Sequence, residues 1–225
     1  DVYKRQAINS FGQDDNYPTG LVMDDEAYSN VPERVQQLTR DYTILPRSYS
    51  LQKYCPTPMN QGNYGTCTSW ASAYAARTIV AAIQHGWTNK IIINREAFSP
   101  PFVYKQIKDS DDANCQNGSC IDDAMELLKT KGVPKYSLFN PMCASYIPTN
   151  LFTSAYDNRI DNYFRLFSID DDENTKVQKT KKALSENCPV VIGMHCYSSF
   201  SSAKDYWNGV KDNYRGGHLS LIHIS

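Results

Sequence analysis

The chain has no uninterrupted apolar run long enough to cross a bilayer as a helix, which excludes a helical membrane bundle. It also has no surplus of either charge, with 23 Lys and Arg against 24 Asp and Glu and a formal charge of −1. No basic block is present to track a phosphate backbone, so neither nucleic acid nor a membrane is an expected partner. Internal repeats and low-complexity tracts are missing, which removes solenoids and disordered linkers from consideration. No positively charged, apolar, cleavable leader opens the chain, but a chain that begins after its leader reads the same way.

What is present is the composition of a folded protein: 225 residues, 41% hydrophobic and 12% aromatic, with 11 Gly and 11 Pro. That is enough to bury one sizeable core or two small ones. Seven cysteines is an odd count, so at least one thiol is left over if the others pair. The ends, Asp1 to Gln6 and Leu219 to Ser225, resemble translated adapter read-through. They are set aside as scars (1–6 and 219–225), with the natural protein expected to run further on both sides.

Residues 7–44 read as a polar N-terminal extension or pro-segment wrapped on the surface. It carries Asp14-Asp15 and Asp24-Asp25-Glu26 and a short helical hint at Val31 to Leu38. Tyr42 to Pro58, with Pro46, Pro56 and Pro58, reads as an extended approach to the first regular element. From Thr68 to Gln84 the residues Ala71, Ala75, Ile79 and Ala82 recur at helical spacing, and Gly86 ends the run. A second helix is expected after Ser99 as cap and Pro100 in its first turn, carrying Phe102, Val103 and Ile107 inward. A third runs from Asp122 to Lys131, with its carboxylates at the positive end, Ala124, Leu127 and Leu128 inward, and Gly132 as its stop. Ile147 to Arg165 is turn-rich. A charged helix (Thr175 to Asn187) then leads into a buried strand, Pro189 to Met194. Helices come first and strands later, so the fold class is α+β in two lobes: a helical lobe (45–145) that carries the nucleophile and a β-rich lobe (146–218), with a cleft between them.

The residues of most chemical interest are Gln61-Gly62-Asn63-Tyr64-Gly65-Thr66-Cys67, followed at once by the strongest helix. A thiol in the first turn of a helix meets unpaired N–H groups and the positive end of the macrodipole, both of which favour the thiolate. Gly62 and Gly65 let the loop bring backbone close to a substrate, and the Gln61 amide, which does not titrate, suits donation to an oxyanion. A thiolate nucleophile also needs an imidazole from a distant part of the chain. His218 follows Gly216-Gly217, which lets a strand enter the cleft unobstructed, and it is the choice. His195 reads as a core or rim histidine and His85 as a helix-end residue, while His223 falls in the terminal stretch set aside. Cys115 and Cys120 flank a turn-prone segment and are read as pairing with each other or with Cys143. Their spacing is poor for zinc. Cys55, Cys188 and Cys196 read as packing residues.

Gln61 to Ala71, read as Q-G-N-Y-G-T-C-T-S-W-A, with Gly216-Gly217-His218 downstream, resembles the papain-like cysteine peptidases. The likeness is strongest to their bacterial branch, through Leu45-Pro46, Phe98-Ser99-Pro100, Ala183-Leu184 and Pro189-Val190-Val191, and it covers Leu45 to His218. The resemblance implies a helical lobe against a β-barrel-like lobe, here incomplete, with Cys67 as nucleophile, His218 as its partner, and Gln61 with the Cys67 N–H as oxyanion hole. Gly65, Asn117, Gly118, Ser119 and Gly217 are then expected to bind substrate backbone. It implies a monomer acting on polypeptides without metal or cofactor, secreted or periplasmic. Tyr64 and Thr68 depart from the family pattern at positions it fills with cysteine and tryptophan. The family's His-orienting Asn comes after the His-bearing strand and this chain ends before it, so no residue here takes that role and reduced or lost activity of this stretch alone is the expectation. An inactive papain-like binding domain, or a thiol acyltransferase or amidase on the same scaffold, are the alternatives.

Overall fold

The computed structural model describes residues 18–34, 45–203 and 207–224. The terminal stretch 1–6 and positions 35–38 of the expected Val31 to Leu38 helix lie outside them, and over its described part that stretch is not helical: Val31 is extended and Glu33 bridges to Arg165. After a short helix α1 (Asp25–Asn30), capped by the Asp24 carboxylate, a run of small residues builds the element on which the chain folds. It is α-helical over Cys67–Ser69, π-helical over Trp70–Arg77 and α-helical again over Thr78–Gln84, together α2. Ala71, Ala73, Ala76, Ala81 and Ala82 are all buried, so neighbouring elements approach α2 closely. It stops where the glycine signal places the stop, with Gly86 at φ 67°.

One core forms on the helical side. α4 (Pro100–Ile107) starts as expected, its first turn closed by Phe102 N–H donating to Ser99 Oγ at 3.2 Å. Phe102 and Val103 are fully buried. α5 (Ile121–Thr130) turns Ala124, Leu127 and Leu128 inward, and these residues pack with Ala73, Phe98, Phe102 and Ala155. Besides the short α1, two helices on this side escaped the sequence reading. The first, α3 (Lys90–Arg95), buries only Ile93. The other, α6 (Asn150–Tyr156), lies in the stretch read as turns and buries only Leu151 and Ala155. Both are too short to show a periodic stripe. Cys115 and Cys143 form a disulfide, which settles the open pairing; Cys120 is free. One of the two thiols weighed for zinc, Cys115, is thereby consumed.

A second core, of Leu51, Ile79, Ala183, Leu184, Val190 and Ile222, joins α2 and α7 (Glu173–Ser185) to an antiparallel ribbon. The ribbon consists of β1 (Val190–Tyr197) and β2 (Tyr214–Ile222), linked through the short helix α8 (Ser198–Ser201). The register runs from Val190↔Ile222 to Tyr197↔Tyr214, with an irregularity at Cys196/Tyr197. Among the described residues this two-stranded ribbon takes the place of the expected barrel-like lobe. Leu219 to Ile222, set aside as read-through, form four of the nine residues of β2, and Leu219 is 2% exposed. The α+β arrangement read from the order of elements is present, with α2 shared by both cores.

Candidate active site

Cys67 is the first residue of α2 and is 1% exposed. The Leu219 N–H donates to its Sγ at 3.4 Å. His218 precedes Leu219 in the chain, so its Cα lies within about 6 Å of the sulfur. The backbone of the expected partner therefore passes close to the expected nucleophile, where the amino end of α2 abuts β2.

Electrostatics depart from the sequence expectation. Burial pushes the Cys67 thiol up, and hydrogen bonds from Leu219, Gly20 and Thr68 pull it down by less. The helix terminus does not hold the sulfur ionised in this state, because the site is dry and desolvation penalises the thiolate most. Burial also lowers His218 to about 4, so the imidazole is neutral at physiological pH.

The cause of the dryness is a strand of the chain itself. The N-terminal stretch was expected on the outer surface, but residues 18–23 run between the two cores and over Cys67. Leu21 N–H donates to Gly217 O at 3.0 Å, Val22 N–H to Ser119 O at 3.2 Å, and Ser119 N–H to Gly20 O at 3.0 Å. Thr68, read as a departure from pattern, donates its hydroxyl to Ser119 O at 3.0 Å and Gly20 O at 3.3 Å. Gln61 Nε2 donates to Pro18 O and to Tyr64 O, both at 3.0 Å. Two glycines allow this approach: a Cβ on Gly217 would stand 2.3 Å from Leu21 O, and one on Gly118 would stand 2.5 Å from Gly20 O. Gly65 backs onto Gly20, with its own N–H given to Cys115 O at 2.8 Å.

The Leu21 side chain packs with Cys67, Ala71 and Leu219. Gly193 makes room for it, since a Cβ there would stand 2.7 Å from Leu21 Cδ2. Further along, the segment is tied to the second core's side of the molecule. Arg34 N–H donates to Arg165 O at 3.0 Å and Tyr28 Oη to Phe167 O at 2.6 Å, while Glu33 pairs with Lys179 at 2.9 Å and Arg34 with Glu186 at 2.8 Å.

Of the residues singled out from sequence, Gln61, Gly65, Cys67, Gly118, Ser119, Gly217 and His218 gather around this segment. Asn117 does not: it is exposed, and its N–H turns to Asp112 Oδ1 at 3.4 Å. His195 stands exposed on β1 beside Tyr214, and His85 stacks on Trp87 at 4.6 Å. Thr68, Gly193 and Leu21 were missed. Only a pairing of chain segments far apart in sequence gives them a role, and single-sequence patterns do not carry that information. Among the described residues no helix is long and apolar enough to cross a membrane.

No protein-family model and no curated protein matches the chain. Solved structures do. Xylellain, a cysteine protease from Xylella fastidiosa, superposes with a TM-score of 0.68 at 19% identity, over 93% of this chain and 79% of that one. Procathepsin B S9 from Trypanosoma congolense gives 0.61 at 16%, over 92% and 70%. Procathepsin L 3 of the Tenebrio molitor larval midgut gives 0.58 at 16%, over 88% and 62%. These are papain-like cysteine proteases, and the fold of this chain is papain-like.

Proposed function

We propose that the chain is a cysteine-type peptidase, a hydrolase of peptide bonds, whose cleft is covered by its own Pro18 to Met23 segment. One observation carries this reading: what lies against Cys67 is polypeptide, held chiefly by hydrogen bonds to its backbone that another peptide could reproduce. In the proposed reaction a substrate displaces the segment. Cys67 gives its proton to His218 and its sulfur adds to the scissile carbonyl. Gln61 Nε2 and the Cys67 N–H take up the oxyanion, the role for which the amide's present grip on Pro18 O suits it. Collapse of the adduct expels the amine, which takes the proton from His218 and leaves a thioester. Water, deprotonated by His218, then releases the acid and restores the thiol.

Gly65, Gly118, Ser119 and Gly217 bind substrate backbone in this scheme as they now bind the segment. The Cys115–Cys143 disulfide supports a secreted or periplasmic site of action, where such bonds persist. The protein is taken to act as a monomer. An epoxide or vinyl-sulfone thiol trap, followed by peptide mapping, tests the assignment. The adduct is expected on Cys67, absent in Cys67→Ala and slow to form in His218→Ala. Labelling spread evenly over Cys55, Cys120 and Cys188, with no preference for Cys67, overturns it.

A further inference from the structure

Residues paired directly across an antiparallel ribbon point to the same face. The register therefore puts Gly193 with Leu219, His195 with Gly217, and Tyr197 with Tyr214 along one side of β1–β2. The Leu21 side chain lies on that face at its Gly193–Leu219 end. At the other end the face becomes aromatic: the Tyr214 ring is 5.7 Å from both His195 and Tyr197, and Tyr197 stacks on Trp207 at 6.1 Å. This group is anchored from behind. Buried Phe200 meets Trp207 edge-on at 5.6 Å, and the indole N–H donates to Ser199 Oγ at 3.0 Å. Yet Tyr214 is 58% exposed, an expensive place for a large ring that nothing covers among the described residues.

The path of the cleft's occupant leads to it. While Leu21 sits over Gly193, Thr19 donates its hydroxyl to Arg215 O at 2.7 Å, one residue from Tyr214. A polypeptide in the cleft thus reaches the edge of the aromatic end two or three residues from the side chain that fills the Gly193 pocket.

We propose that His195, Tyr197 and Tyr214 form a second specificity subsite, on the Gln61 side of Cys67, which takes an aromatic side chain of the polypeptide substrate. This rests on the peptidase reading. The occupant is a peptide because the face is continuous with a groove that already pairs with peptide backbone. Aromatic side chains suit the subsite because edge and face contacts with anchored rings add to simple burial.

The test uses the whole chain carrying Gly20→Val to uncover the cleft, and two labelled peptides with a fixed Leu. They differ only in Trp or Ala at the second and third positions on either side of that Leu. With Cys67→Ala added, anisotropy is expected to show the Trp peptide bound about tenfold more tightly. Tyr214→Ala is expected to bring the ratio to about one and Tyr214→Phe to restore it; exposed His195→Ala, which is expected to fold in any case, should lower it. Equal binding of the two peptides, no binding of either, or a ratio indifferent to Tyr214 overturns the subsite. With Cys67 intact, cleavage of both peptides at one rate leaves the peptidase reading standing and the subsite refuted. Tyr214-dependent binding without cleavage does the reverse.

Discussion

Gln61 Nε2 donates to the Pro18 carbonyl at 3.0 Å. The amide expected to hold an oxyanion is already engaged with a peptide oxygen, and that oxygen belongs to the chain itself. The same stretch of chain lies over Cys67, so the cover acts on the chemistry twice. It fills the donor site, and it helps to bury the thiol, which raises it.

Removing the fit at Gly20 should lift the cover without altering any residue of the cleft. A Cβ at Gly20 would stand 2.1 Å from Gly65 O, a backbone atom with no room to move aside. Gly20→Val is expected to raise the rate of Cys67 labelling by the thiol trap at least tenfold, since one lost close approach of this kind costs about 1–3 kcal/mol. An unchanged rate would mean that the segment does not limit access.

Leu21 supplies the apolar part of the hold. It is 8% exposed and packs on Cys67, Ala71 and Leu219. Leu21→Ala is expected to weaken the cover by about 2–3 kcal/mol, read as faster exchange of the Val22 amide. The pocket it leaves fits the same side chain in a substrate, so Gly193→Val should depress turnover of a Leu-containing peptide more than of its Ala counterpart. Steady-state comparison of the two peptides checks this.

The legible parts of the molecule were local. Gly86, Ser99-Pro100 and Gly132 punctuate helices that form within one or two residues of where the signals put them. The loop from Gln61 to Cys67 could be read because its residue types have few other uses together. What could not be read was long-range. Gly20 against Gly65, Leu21 against Gly217 and Thr68 against Ser119 each join stretches of chain without regular spacing. The Cys67 thiol was misjudged for the same reason: the helix end is a local feature, whereas the burial that outweighs it comes from a segment more than forty residues away.

The disulfide is expected to matter for stability and not for the chemistry. Cys115 and Cys143 close a loop of separation 28 beneath Gly65, whose N–H bonds to Cys115 O. Cys143→Ser should cost about 2–4 kcal/mol, seen as a lower urea midpoint, with the trap still selecting Cys67. Loss of labelling in a variant that remains folded would instead tie the bridge to the geometry of the Gln61 loop.

Acid should loosen the cover through His218. Its imidazole stands at about 4 while covered, against 6.5 for the ordinary group. Where the cover is what buries the ring, the uncovered form binds a proton that the covered form refuses, and the cover's stability, full above 6.5, falls as the pH drops toward 4. If uncovering restores the ordinary value, the open fraction at pH 5 is about 20-fold higher than at pH 7. Asp122 and Asp123 work in the opposite sense. Burial and the like charge of Asp24 raise both, so their protonation in acid favours the covered form. Their effect belongs to the carboxylate range, and the imidazole governs the interval above it. Amide exchange at Leu21, whose N–H is bonded to Gly217 O, isolates the step from catalysis once corrected for the intrinsic rate. The opening it reports should rise between pH 7 and pH 5 in the native chain and stay level in His218→Phe. A rise that survives the substitution would move the acid response from the imidazole to the ion pairs of Glu33 and Arg34.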